Sequence, residues 1–88
     1  MRVHADKVAD ALPHVSKLVE ESRKEEGVIK YEVFTDIKEA GTYIFIEKFA
    51  SLAVVEKHQH SNHFKEAIEN CKQWFLSPVE LRVLKKAL

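Results

Sequence analysis

The chain has 88 residues, of which 45% are hydrophobic and 32% are charged, a composition typical of one globular domain. Basic and acidic residues number 14 each, so there is no basic excess of the kind that nucleic-acid binding requires. No apolar run is long enough to span a bilayer, and no signal-peptide pattern follows Met1. The single cysteine, Cys71, cannot form an intramolecular disulfide, which favours a reducing compartment. These features predict one cytoplasmic domain over residues 1–88, with neither a membrane nor a nucleic acid as partner.

The first predicted helix covers Asp6 to Glu26, where apolar residues recur at helical spacing. Pro13 removes a backbone donor inside this stretch, so the regular helix either begins near Asp10 or is kinked. Gly27 follows at the position where a left-handed residue commonly ends a helix.

Two strands are predicted next. Alternation over Val28–Thr35 places Ile29, Tyr31 and Val33 on one side of the first, and the polar segment Asp36–Gly41 predicts a hairpin loop. The return strand, residues 42–49, is apolar on both faces, with Tyr43, Phe45 and Phe49 on one face and Ile44 and Ile46 on the other. We therefore expect both faces of the sheet to be covered.

Two serines predict the remaining helices. Ser51 can cap a helix that extends through His58, and Ser61 can cap another from Asn62 to about Leu76. After Pro78, the alternation of Val79, Leu81 and Val83 predicts a final strand, and Met1 to His4 is the only segment available for an initial one.

The resulting order, β-α-β-β-α-β, predicts an α+β, ferredoxin-like fold: an antiparallel sheet with helices on one face. A chain of this size has only enough helix to cover one face of the sheet. The sequence therefore predicts a homodimer in which the second faces pack together.

The residues most able to carry chemistry are the histidines His58, His60 and His63. Glycine-rich phosphate loops, paired cysteines and zinc-protease motifs do not occur in the sequence. The three histidines have no well-spaced carboxylate or cysteine beside them, so no metal site is predicted. Glu47 alternates in phase with the aromatic residues of its strand, so on a covered face its charge needs a histidine or arginine partner. If this end of the strand is instead exposed to solvent, Glu47 needs no such partner.

Three ordered motifs resemble the antibiotic biosynthesis monooxygenase superfamily, whose members are small dimeric α/β-barrel proteins. The motifs are Glu26-Gly27-x3-Tyr31, Glu47-x-Phe49 and His58-x2-Ser61-x-His63-Phe64. The resemblance extends from about Val3 to Leu84. Phe49 stands where members usually carry tryptophan.

The resemblance implies a monooxygenase that needs no cofactor and acts on a small quinol-like or polyketide-like aromatic molecule. It implies proton transfer by His58 and His63, with Glu47 orienting one of them. The implied substrate-binding residues are aromatic: Tyr31, Phe45, Phe49, Phe64 and Trp74. In the haem-degrading branch a proximal histidine would fall at Ile68, which cannot ligate iron.

Two alternative functions also fit the sequence. The superfamily also contains an isomerase of a small phosphorylated dicarbonyl, and the corner Glu25-Glu26-Gly27 resembles it. The other alternative is a non-catalytic dimeric module that binds small molecules or acts in a stress response. A cavity that reaches His58 or His63 favours an enzyme. The non-catalytic module is favoured if the space beside these histidines is filled by Phe49, Phe64 and Trp74.

Overall fold

The computed structural model describes all residues from 1 to 88 and has the α+β architecture that the sequence predicts. Its elements in chain order are α1 (Val8–Arg23), β1 (Val28–Thr35), β2 (Tyr43–Phe49), α2 (Leu52–Gln59) and α3 (Asn62–Cys71). Short 3-10 turns cover Ala5–Lys7 and Lys72–Trp74. None of the helices combines the length and the apolarity that crossing a bilayer demands.

Helix α1 begins after the turn at Ala5–Lys7 and keeps Pro13 within it. Gly27 has a φ of +88°, which confirms its left-handed conformation. The helix nevertheless ends at Arg23, with Lys24 as its C-cap. Gly27 therefore directs the chain into β1 rather than capping α1.

Strands β1 and β2 form an antiparallel pair in which Tyr31 faces Glu47 and Val33 faces Phe45. The register shifts between Val28 and Lys30, and Ile29 is the extra residue of this bulge. Its side chain is 60% exposed. The prediction that Ile29 shares the inner face with Tyr31 is therefore wrong, because a bulge reverses the alternation at that point.

The predicted first and last strands do not form as regular strands. The first is reduced to two isolated bridges, Arg2 to Thr42 and Val3 to Phe75. The final strand over Val79–Val83 is absent, and residues 78–88 have no regular structure. The last backbone hydrogen bond to the first segment is made by the Leu76 amide to the Arg2 carbonyl, and residues 78–88 pair with no other strand. A strand without a partner leaves its backbone groups unpaired, so alternation alone does not produce one.

The two predicted serine caps are confirmed. Ser51 Oγ accepts a hydrogen bond from the Val54 amide at 3.3 Å, and Ser61 Oγ accepts one from the Phe64 amide at 3.3 Å. Helix α3 ends at Cys71 rather than near Leu76, because the chain tightens into a 3-10 turn and then becomes extended. The caps place His58 in the last turn of α2 and His63 in the first turn of α3.

The helices cover the inner face of the sheet over two buried clusters. One contains Val3, Ala11, Val15, Tyr43 and Cys71, and the other contains Leu18, Val19, Tyr31 and Ala67. Phe45 and Val33 pack against both. The outer face is uncovered in the single chain, with three large apolar side chains about half exposed: Phe34, Ile44 and Ile46.

Candidate active site

Glu25 is the centre of the polar cluster that the fold assembles. Its Oε2 accepts hydrogen bonds from His58 Nδ1 at 2.6 Å and from His63 Nε2 at 2.8 Å. Glu25 follows α1, His58 lies in α2 and His63 lies in α3. Burial by itself would raise the pKa of Glu25, but the hydrogen bonds from both histidines hold that pKa below its ordinary value. Glu25 is therefore a carboxylate at neutral pH and acts as the acceptor in both bonds.

His58 is the most buried member, with 1% of its surface exposed. Since its Nδ1 donates to Glu25, the Nε2 of the neutral ring carries the lone pair and faces the Tyr31 hydroxyl at 3.2 Å. The rings of Tyr31, Phe49 and Phe64 surround it, with centroids 5.1, 5.5 and 5.2 Å away. Both nitrogens of His58 therefore have protein partners, and both partners are side chains rather than backbone groups.

Tyr31 joins His58 to Glu47. Burial, together with the negative charge of Glu47, raises the pKa of Tyr31 far above its ordinary value, so the hydroxyl stays protonated. Burial also raises the pKa of Glu47, which faces Tyr31 across the two strands. Glu47 makes no ion pair with either histidine, and the carboxylate bonded to both of them is Glu25.

His63 is the member that solvent can reach, with 19% of its side chain exposed. Its Nε2 donates to Glu25, and its Nδ1 makes no hydrogen bond within the chain. In the neutral ring that Nδ1 holds a lone pair. His60, the third histidine of the sequence cluster, is exposed and bonds the Glu56 carbonyl at 2.7 Å.

The structure brings together most, but not all, of the aromatic residues assigned to substrate binding. Tyr31, Phe49 and Phe64 pack on His58, and Phe45 packs on Tyr31 with ring centroids 6.0 Å apart. Trp74 lies elsewhere, against the cluster around Val3 and beside the ring of His14 at 6.0 Å.

The cavities differ from the simple pocket that the sequence argument anticipates. One is an open groove of about 470 Å³ along α1, and neither His58 nor His63 lines it. Its walls are Leu12, Val15, Ser16, Val19, Glu20, Arg23 and Val33. A second cleft between α1 and α3 does touch His63, but its volume is about 10 Å³, roughly the space of a single water molecule.

The comparison with known proteins decides the family. The family model for antibiotic biosynthesis monooxygenases matches residues 1–70. The chain belongs to the antibiotic biosynthesis monooxygenase family. The three motifs that carry the resemblance in the sequence all lie within the matched residues.

One curated relative and two solved structures are similar to this chain over most of its length. YcnE of Bacillus subtilis strain 168, a candidate monooxygenase, is 27% identical over 81 residues, which cover 92% of this chain and 85% of YcnE. A conserved protein from Methanosarcina mazei Go1 is 26% identical with a TM-score of 0.83, over 90% of this chain and 78% of that one. Rv0793 from Mycobacterium tuberculosis shares the fold, with a TM-score of 0.83 and 18% identity over 99% and 91% of the two chains.

Glu25 is the member of this cluster that the sequence did not predict. Its position in the charged run from Lys17 to Glu26 is typical of a solvated helix face. The available signal is its spacing, because Glu25 lies seven residues after Leu18 and three after Ser22, both of which are buried. This helical spacing places Glu25 on the same side of the chain as the buried residues Leu18 and Ser22. In the folded chain a carboxylate does accompany two of the histidines, because Glu25 lies against His58 and His63.

Proposed function

We propose that this family member is a monooxygenase of small, electron-rich aromatic molecules that works without a bound cofactor, with His63 as its general base. The observation that carries the proposal is the pair of imidazoles fixed by Glu25. Glu25 accepts a hydrogen bond from Nε2 of His63, which leaves Nδ1 with a lone pair and no protein partner on a side chain that is 19% exposed. A base must be held in one tautomer and reach its substrate, and this arrangement satisfies both needs.

The proposed chemistry begins when His63 removes a proton from an acidic hydroxyl or ring carbon of the substrate. The resulting anion is electron-rich enough to reduce O2 directly, and a carbon–oxygen bond forms to give a peroxide. Protonation of the peroxide and loss of water then leave a carbonyl on the substrate. One oxygen atom enters the product and the other leaves as water, so substrate and O2 supply all the electrons.

In this proposal His58 acts through its neighbours rather than on the substrate. It is 1% exposed and both of its nitrogens are engaged. It therefore acts as a positioning residue that holds Glu25, and Glu25 in turn holds His63. Glu47 acts on the same network indirectly, through Tyr31. Phe49 and Phe64 keep water away from His58, which strengthens these hydrogen bonds.

A second candidate function, a non-catalytic binding module, is favoured by the packing around His58. Phe49 and Phe64 fill the space beside the ring, and the cleft at His63 has a volume of only about 10 Å³. In such a module the groove along α1 would hold the ligand, because its volume of about 470 Å³ lies in the range of small-molecule sites.

We also propose that the protein is a homodimer that joins through the outer faces of its sheets. This is supported by Phe34, Ile44 and Ile46, which are 48, 45 and 50% exposed on adjacent strands. A cluster of large exposed apolar side chains on one face is typical of a protein–protein contact.

Oxygen consumption with a panel of hydroquinones and anthrone-type aromatics tests the proposed function. We expect uptake by the native protein and a loss of about 10²-fold or more in His63→Ala, the effect typical of removing a general base. His60→Ala is the matched control, because it removes an exposed histidine outside the cluster, and it should retain full activity. Circular dichroism should show that all three proteins are folded.

Equal uptake by the native protein and His63→Ala would contradict His63 as the base. Absence of uptake across the panel, with a tight ligand found in the α1 groove, would favour the binding module. Conversion of a phosphorylated dicarbonyl without oxygen uptake would instead assign the isomerase activity.

A further inference from the structure

We infer that Glu25, His58 and His63 form a binding site for one divalent ion of the zinc class. The atoms available as ligands are one carboxylate oxygen and one nitrogen from each ring, and they lie within 4.8 Å of one another. They come from a turn and two different helices. Their convergence on one point is therefore a property of the tertiary structure rather than of any local motif.

The donor set selects the class of ion. Two imidazole nitrogens and one carboxylate oxygen suit zinc, cobalt, nickel and copper, whereas magnesium and calcium prefer an all-oxygen shell. Three protein ligands also leave a fourth tetrahedral position for water. The cluster thus has the ligand count of an open zinc site.

An ion can enter only if the three side chains shift, because their ligand atoms are spread over up to 4.8 Å. Ligand bonds of about 2.0–2.2 Å in a tetrahedral site place neighbouring ligand atoms about 3.3 Å apart. The two hydrogen bonds to Glu25 are 2.6 and 2.8 Å long. The carboxylate therefore needs to withdraw from each ring by less than about 1 Å, and the two ring nitrogens must also come to about 3.3 Å from each other.

The surroundings supply the second contacts that ligating histidines need. When an ion binds Nδ1 of His58, the ring hydrogen moves to Nε2 and donates to the Tyr31 oxygen, now 3.2 Å away. Phe49 and Phe64 shield this side of the cluster. The partly exposed ring of His63 provides the route of entry from solvent.

Ion binding and the hydrogen-bonded form exclude each other, because they use the same three atoms. An ion on Nε2 of His63 forces the ring's hydrogen onto Nδ1, where the free lone pair had been. On the basis of the proposed function, bound zinc would therefore inhibit the oxygenase by removing its base.

Metal binding is tested on chelator-treated full-length protein without any substrate. We expect Co²⁺ titration to give visible d–d absorption of a low-symmetry site that saturates at one equivalent, and Zn²⁺ to displace it. Glu25→Gln and His63→Ala should each weaken Co²⁺ affinity by more than about 100-fold. Even the loss of a residue that only hydrogen-bonds a metal ligand weakens affinity by about 10- to 100-fold. Tyr31→Phe should weaken it by about 10-fold or more.

His60→Ala and Mg²⁺ serve as the controls. His60→Ala should bind Co²⁺ like the native protein, and Mg²⁺ should not compete. Equal Co²⁺ affinity in the native protein and in folded His63→Ala would overturn the site, as would the absence of saturable absorption in the native protein. If His63→Ala does not fold, Tyr31→Phe gives the same test. Because no substrate is present, these results stand whether or not oxygen uptake is found.

Discussion

Glu25 accepts hydrogen bonds from two imidazoles on one oxygen, and this fixes which nitrogen of each ring carries hydrogen. The consequence is different for the two rings. His58 gives its other nitrogen to Tyr31, whereas His63 keeps its other nitrogen free. In the proposed function, a single carboxylate thus makes one of two chemically identical side chains a positioning residue and leaves the other available as the base.

Glu47 illustrates the opposite situation, a carboxylate held in an unfavourable place. Burial raises its pKa above the ordinary value of 4.5. An acid whose folded-state pKa is raised stabilises the fold below its unfolded pKa, and that contribution is lost as pH rises through the folded pKa. Each pKa unit corresponds to about 1.4 kcal/mol.

We therefore predict that Glu47→Gln raises the thermal unfolding midpoint at pH 7–8 by a few degrees, since 1 kcal/mol shifts it by about 4–8 °C in a domain of this size. The gain should shrink as pH falls from the raised folded-state pKa toward about 4.5, and it should be absent below 4.5, where Glu47 is protonated in both states. Glu56→Gln, on the exposed surface of α2, is the control and should show no such pH-dependent gain. A lower midpoint for Glu47→Gln at neutral pH would mean that its charge is instead well paired.

At the scale of the elements, two glycines determine how the strands meet their neighbours. Gly27 and Gly41 have φ values of +88° and +84°. A Cβ at Gly41 would lie 2.2 Å from the carbonyl oxygen of Val3, whereas one at Gly27 would lie 2.6 Å from a Val54 methyl group. The first obstacle is backbone, and the second is a side chain on the short helix α2.

Both alanine variants should be destabilised, because both positions require a positive φ. We expect Gly41→Ala to lose more, about 2–4 kcal/mol, since the hairpin must move away from the first segment. Gly27→Ala should lose about 1–2 kcal/mol, because Val54 and α2 can shift. Urea denaturation measures the difference, and equal losses would show that backbone conformation alone sets the cost.

At the scale of the whole molecule, the sheet has one covered face and one open face. The core lies between the helices and the inner face, and the outer face presents Phe34, Ile44 and Ile46. If two copies join through this face, a charge placed there is buried without a partner and opposes association.

We predict that Ile44→Glu together with Ile46→Glu converts the dimer to a monomer, as measured by light scattering after size exclusion. Leu12→Glu is the matched control, because Leu12 is 52% exposed on α1, away from the outer face of the sheet. It should leave the mass unchanged. A native protein that elutes as a monomer, or a double variant that remains dimeric, would exclude the outer face as the interface.

The sequence by itself determined most of the local structure. Ser51 and Ser61 identify the starts of α2 and α3, because an N-cap hydroxyl satisfies a backbone amide within its own turn. The alternation at Tyr43, Phe45 and Phe49 identifies the inner face of β2, because side chains alternate along any strand. Such rules depend only on neighbours in sequence.

Only the tertiary structure decided what lies far apart in the chain. The final strand over Val79–Val83 was mispredicted because strand formation depends on a partner. Glu25 was missed because its partners, His58 and His63, are 33 and 38 residues away. A charged residue in such a run is predicted to be exposed to solvent, and only the fold shows which side chains it contacts. The reason is that a hydrogen bond depends on distance in space rather than on spacing in the chain.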